Sequence, residues 1–322
     1  MPEDSRPAGL RQCADAVLMV RPAAFDFNCE TEPSNRFQKR SSATAGTLER
    51  ALAEFAALEQ GLRDAGVATC AVADRPVPAC PDAVFPNNWV SFHADGTVVL
   101  YPMLAASRRR ERRMDLLLEL EQRGGFEVAR LLDLSHHEMS GRFLEGTGSV
   151  VFDHAGRIAY ACLSPRTDVR VLDELCAELG YQPFAFAAED AAGVPVYHTN
   201  VMLSIGSRCA VVCAEAVAAA DRPMLMERLA GGGRTVVNID QRQMASFAGN
   251  ALELRARGGA RVLVMSARAL ASLDGEARET LQRAVDRVIA VPVPTIEDVG
   301  GGSVRCMLAE VFLPRRAAMR AE

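Results

Sequence analysis

Phe85-Pro-Asn-Asn-Trp-Val-Ser-Phe92, His93-Ala-Asp-Gly-Thr97 and Val98-Val-Leu-Tyr-Pro-Met103 read as a strand, a turn and a second strand, and a helical pattern follows from Arg108 to Gln122. Asp-Gly between two β-rich runs is a hairpin signal, because Gly accepts the backbone torsions that a tight reversal needs. The same order then recurs. Phe143–Phe152, the turn Asp153–Arg157, Ile158–Leu163 and the helix Asp168–Leu179 form a second copy. His198–Ile205, Gly206–Arg208, Cys209–Cys213 and the helix Pro223–Leu229 form a third. A looser fourth runs Met244–Leu254, Ala256–Gly259, Arg261–Ser266 and the helix Asp274–Val288. A last strand, Ser303–Phe312, has no helix after it; Ala16–Val20 and the helix Leu48–Asp64 supply the missing parts at the other end.

Five ββαβ-type units therefore span residues 1–322 as a single domain closed by its N- and C-terminal strands. The fold class expected is α/β: a five-bladed, pseudo-symmetric α/β propeller around a central channel. A doubly wound parallel sheet would alternate single strands with helices instead. Spacing agrees with the ring. Asn88 to Glu145 is 145 − 88 = 57 residues, Glu145 to His198 is 198 − 145 = 53, and His198 to Cys306 is 306 − 198 = 108, two units. A non-symmetric α+β domain is the alternative.

Composition narrows the function classes. The chain is 49% hydrophobic and 24% charged, with net charge −5, so it offers no general attraction to nucleic acid or anionic membrane. No apolar run reaches membrane-span length and no leader is recognisable, which points to the cytoplasm. Nine scattered cysteines, an odd number, do not form a disulfide framework. Cys209 and Cys213 read as reduced core thiols. The basic run Arg108–Arg113 reads as a solvated helix face, Phe25–Ser42 as an irregular lid over a site, and His93 and His154 as exposed turn residues.

Each first strand carries one unusual polar group among apolar neighbours: Asn87-Asn88, Glu145, His198-Thr-Asn200 and Cys306. In a ring these converge on the axis. Cys306 follows Gly300-Gly301-Gly302, a run that allows close backbone approach to a ligand. A thiol becomes a nucleophile beside an imidazole, and a carboxylate fixes that imidazole's orientation and favours imidazolium.

Four strings, Phe85-Pro-Asn-Asn-Trp89, Leu144-Glu-Gly-Thr-Gly-Ser149, Tyr197-His-Thr-Asn-Val-Met202 and Gly300-Gly-Gly-Ser-Val-Arg-Cys-Met-Leu-Ala-Glu310, together resemble the arginine deiminase, dimethylarginine hydrolase and amidinotransferase superfamily. The bacterial amidinotransferase-like citrulline-utilisation hydrolases look nearest. The resemblance implies the pentein propeller, with Cys306 as nucleophile, His198 as acid–base and Glu145 as its orienting carboxylate. It departs at Asn88 and Asn200, where relatives carry aspartates that clamp guanidinium, and at Gly148, where deiminases carry aspartate.

Two amides carry donors and acceptors but no charge, and suit a neutral ureido group. The expected function is cysteine-dependent hydrolysis of a ureido or guanidino C–N bond in a small amino-acid-like substrate, citrulline-like favoured over arginine-like. Negative charge for a guanidinium remains available from Glu145, Asp298 and Glu310. The expected substrate-binding residues are Asn87, Asn88, Asn200, Arg21 or Arg142 for a carboxylate, and backbone N–H groups near Gly301 and Gly302. No cofactor or metal is expected, since His136-His137 has no third ligand at a recognisable spacing. A homodimer is possible. The alternatives are an amidinotransferase, in which an amine replaces water, and a non-catalytic propeller that binds a partner.

Overall fold

The computed structural model describes residues 11–40 and 45–316, so Ser41 and Ser42 of the expected lid lie outside the described residues. It contains five three-stranded sheets. The first sheet joins β1 (Ala16–Arg21) to β2 (Ala68–Ala73) and to the C-terminal β15 (Ala309–Glu310). The second holds β3 (Val90–Phe92), β4 (Thr97–Leu100) and β5 (Arg130–Asp133), and the third β6 (Val151–Asp153), β7 (Ile158–Cys162) and β8 (Gln182–Phe186). The fourth holds β9 (Leu203–Ile205), β10 (Cys209–Val212) and β11 (Thr235–Asn238), and the fifth β12 (Leu252–Arg255), β13 (Arg261–Ser266) and β14 (Arg287–Val291). Every sheet repeats one pattern. The central strand pairs antiparallel with a short first strand and parallel with a third strand reached through a helix. This is the ββαβ unit five times over, with the chain termini sharing one unit as the sequence predicts.

Each helix covers its own sheet through an apolar stripe. Val169–Leu179 buries Val171, Leu172, Leu175, Cys176 and Leu179, the i, i+4 and i+8 positions that share one helical face. Asp168 caps it by accepting from the Arg170 N–H.

The first strands depart from expectation in one consistent way. Each is only two to four residues long. In four units a tight helical turn precedes the strand directly: Pro86–Asn88, Gly146–Ser149, Thr199–Met202 and Val304–Met307. In the remaining unit the helix Gln241–Ala245 stands further upstream, and Phe247 turns the chain with φ +64° into Ala248–Asn250. These segments meet at the ring centre and bond to one another. Thr147 Oγ1 donates to Asn87 O at 3.4 Å, Thr199 Oγ1 to Ser149 O at 2.6 Å, and Asn250 Nδ2 to Asn200 O at 2.9 Å. Side chains supply these links because the turned backbone no longer presents a strand edge to its neighbour. Glycine permits the contact: a Cβ on Gly146 would stand 2.1 Å from Asn87 O, and one on Gly249 2.5 Å from Val201 O.

Candidate active site

The central turns carry Asn88, His198 and Cys306 into one narrow cavity, while Glu145, Asn87 and Asn200 stand behind its wall. Asn88, His198, Gly301, Gly302 and Cys306 line it, together with Thr31, Asn35, Asp82, Phe85, Arg108, Arg166, Tyr197 and Gly300. Cys306 is 3% exposed, and its Sγ lies 3.4 Å from Asn250 Nδ2 and 3.6 Å from Asn200 Nδ2. Asn250 Oδ1 in turn accepts from the Arg305 N–H at 3.0 Å. One amide thus fixes both the sulfur and the backbone that carries it.

His198 Nε2 stands 2.9 Å from Glu145 Oε2. The carboxylate can only accept, so Nε2 holds the proton and Nδ1 is left as the basic nitrogen. Gly148 makes room at that nitrogen, since a Cβ there would lie 2.8 Å from His198 Nδ1 and 2.5 Å from Asn88 Nδ2. Burial pushes Glu145 upward, but Arg166 Nη1 at 3.2 Å, the His198 hydrogen bond and Arg108 outweigh it and hold the carboxyl well below the usual range. Burial has the opposite effect on His198. Although Glu145 favours its charged form, desolvation together with Arg166 and Arg108 brings it down to about 4. This runs against the expectation of a resting imidazolium: burial first, and then the two guanidinium groups, favour the neutral ring.

The arginines that reach the cavity are not the expected ones. Arg21 ends β1 in solvent and Arg142 is half-buried, and neither is on the cavity wall. Arg108, read from its basic run as solvated, is instead 3% exposed. It pairs with Glu111 (Nη2 to Oε2, 2.9 Å) and donates from Nη1 to Asn88 Oδ1 at 2.7 Å. Arg166 donates to Glu145, to Thr31 O at 3.1 Å and to Ser34 Oγ at 2.7 Å. Of the carboxylates weighed for negative charge, Glu310 pairs with Arg305, and Asp298 with Arg268 and Lys39. Asp82 faces the cavity instead. Its Oδ2 accepts from Asn28 Nδ2 at 2.7 Å while its Oδ1 is buried with no partner among the described residues, and desolvation raises its pKa. The Asn88 Nδ2 and both polar atoms of the Asn87 side chain are likewise buried and unpaired, though Asn87 sits behind the wall.

The Gly301 N–H is engaged by Glu297 O at 3.0 Å and is not free to meet developing charge. Gly301 O accepts from Tyr197 Oη at 2.6 Å and from Asn35 Nδ2 at 3.1 Å. Asn35 belongs to the Phe25–Arg40 strap, which lies over the cavity where a lid was expected; Thr31 and Asn35 form part of the cavity wall. His93 and His154, expected at the surface, are 6% and 8% exposed. They turn inward to bond Ser91 Oγ and Tyr181 Oη, at 2.8 and 2.7 Å.

No curated protein matches the chain. Solved structures do match in fold. The N-terminal domain of ArgZ, an arginine dihydrolase from the ornithine–ammonia cycle in cyanobacteria, superposes with TM-score 0.71 at 18% identity, covering 92% of this chain and 99% of that domain. Against apo full-length ArgZ the identity is 19% and TM-score 0.71, over 95% of this chain but 42% of that one. A dimethylarginine dimethylaminohydrolase adduct with S-methyl-L-thiocitrulline matches with TM-score 0.62 at 15% identity, over 92% and 99% of the two chains. These likenesses establish the pentein fold. The model for N,N dimethylarginine dimethylhydrolase, eukaryotic, matches residues 21–313, nearly the whole chain, and the protein belongs to that family.

Proposed function

We propose that this protein hydrolyses the terminal C–N bond of a guanidino or ureido α-amino acid, through a covalent intermediate on Cys306. The observation that carries the reading is the cavity shared by Cys306 and His198, whose ring is bonded to Glu145 behind it, with unpaired hydrogen-bonding atoms of both kinds around it. The family name supplies the bond class, a non-peptide C–N bond hydrolysed. Among similar structures, one enzyme is an arginine dihydrolase and another acts on dimethylarginine.

The wall chemistry supports the substrate class. Arg108 and Arg166 each retain an Nη1 hydrogen beyond those in their protein bonds, and two guanidinium groups suit an α-carboxylate. Asp82 Oδ1 accepts from a guanidinium or ureido nitrogen, whereas Asn88 Nδ2 donates to a carbonyl oxygen. Such a site serves a guanidino substrate and, through the Asn88 amide, its ureido counterpart as well.

In the first step neutral His198 takes the Cys306 thiol proton on Nδ1 as sulfur bonds to the central carbon. Glu145 holds the resulting imidazolium, which then protonates the departing nitrogen as its C–N bond breaks. Water next gives a proton to His198 and its oxygen to the carbon, and the C–S bond breaks to restore the thiol.

The test is product stoichiometry with arginine, citrulline, agmatine and methylated arginines. Release of ammonia or alkylamine from an α-amino acid substrate, with agmatine poor, supports the reading. Transfer of an amidino group to an added amine without net hydrolysis replaces it with the transferase reading.

A further inference from the structure

We infer that His136, His137 and Glu174 form a binding site for a divalent transition-metal cation such as zinc, on the outside of the ring and apart from the Cys306 cavity. One ligand atom from each residue lies within 4.8 Å of the other two. At metal–nitrogen bonds of about 2.0–2.1 Å, tetrahedral ligand atoms sit about 3.3 Å apart. Small side-chain shifts therefore close the set on an ion. The sequence shows no third ligand near the two histidines because Glu174 comes from the next unit, on the helix Val169–Leu179.

His137 Nε2 already meets Glu174 Oε2 at 2.8 Å, and a hydrogen bond alone accounts for that pair. It does not account for His136. That ring lies with its centroid 4.2 Å from the His137 ring. Its Nδ1 is 3.1 Å from the Asp133 carbonyl, so Nδ1–H donates there and Nε2 is left as the ligand atom. A metal-binding histidine commonly has its other ring nitrogen held in this way. Two imidazole nitrogens and one carboxylate suit zinc and its neighbours rather than calcium or magnesium. His136 is exposed, which leaves the remaining coordination positions to water. The bound ion would tie the segment after β5 to the helix of the adjoining unit, across the same seam as the Arg130–Glu178 ion pair.

Zinc titration by calorimetry, on full-length protein carrying Cys306→Ser to remove the cavity thiol, tests the site. One zinc per chain is expected, together with a rise in Tm. His136→Ala and Glu174→Gln should each weaken zinc binding at least tenfold, and His136→Ala, at an exposed position, should leave the metal-free Tm unchanged. No zinc bound by the Cys306→Ser protein, or equal affinity in the His136→Ala protein, overturns the inference. Neither outcome bears on the hydrolase reading, which uses none of these residues.

Discussion

Arg108 Nη1 donates to Asn88 Oδ1 at 2.7 Å, and that bond settles which face Asn88 turns to the cavity. A guanidinium has no acceptor, so the amide oxygen must face Arg108 and the nitrogen must face inward. That nitrogen is buried and unpaired. On the proposed reading it donates to a substrate oxygen, which a ureido group has and a guanidinium lacks.

Asn88→Asp keeps the bond to Arg108 and turns the inward donor into an acceptor. Turnover of citrulline relative to arginine, compared as kcat/KM, should fall about 10–100-fold, the range for a lost buried hydrogen bond of ~1–3 kcal/mol. An unchanged ratio means that Asn88 does not read the substrate.

Asn250→Ala strips the Arg305 N–H and Asn200 O of their partner and removes a donor from the Cys306 sulfur. We expect a stability loss of about 2–4 kcal/mol from the unsatisfied buried groups. Asn250→Asp keeps the acceptor for the Arg305 N–H but sets an oxygen against Asn200 O, so it too lowers stability while adding charge beside the sulfur. Negative charge beside the thiol should move the pH profile of Cys306 alkylation by iodoacetamide upward, and a downward move rules out this contact in solution.

With neutral His198 as the proposed base, kcat/KM should hold through neutral pH and decline on the acid side as the ring protonates near pH 4. Glu145 favours the protonated ring, so Glu145→Gln should shift that limb to still lower pH while reducing kcat about 10²–10⁴-fold. A limb that rises towards pH 6.5 in the variant contradicts the assignment.

Buried His93 and His154 are held down to about 4 and about 3, in each case chiefly by desolvation, against an ordinary value of 6.5. The unfolded chain takes up these protons first, so stability is full above pH 6.5 and drains as pH falls towards 4. A depression of this size corresponds to about 3 kcal/mol for one histidine. Urea unfolding from pH 7 to pH 4.5 should show the decline, and His93→Gln should flatten it.

The five-unit ring was legible because turn dipeptides and β-rich runs repeat at nearly constant spacing. Cys306, His198 and Glu145 stood out as polar groups on otherwise apolar strands. Asn250 did not, although it occupies the equivalent place in the fourth unit. Its string Phe247-Ala-Gly-Asn250 precedes the strand without the polar clusters seen elsewhere. Arg108 and Arg166 were missed for a different reason. Arg108 sits in a basic run that looks solvated until the fold brings Asp82 beside it, although its other partner, Glu111, is only three residues on; Arg166 meets Glu145 from a distant segment. The inward turn of His93 and His154 was hidden similarly, since a hairpin turn at the ring centre is buried by its neighbours.

The most direct measurement is a rapid acid quench of protein turning over arginine or citrulline, followed by digestion and mass spectrometry. The expected result is a substrate-derived mass increase on the peptide containing Cys306, absent from Cys306→Ser protein, which also releases no ammonia. A Cys306→Ser protein that still turns over substrate at the native rate, or an adduct on another residue, would contradict the account.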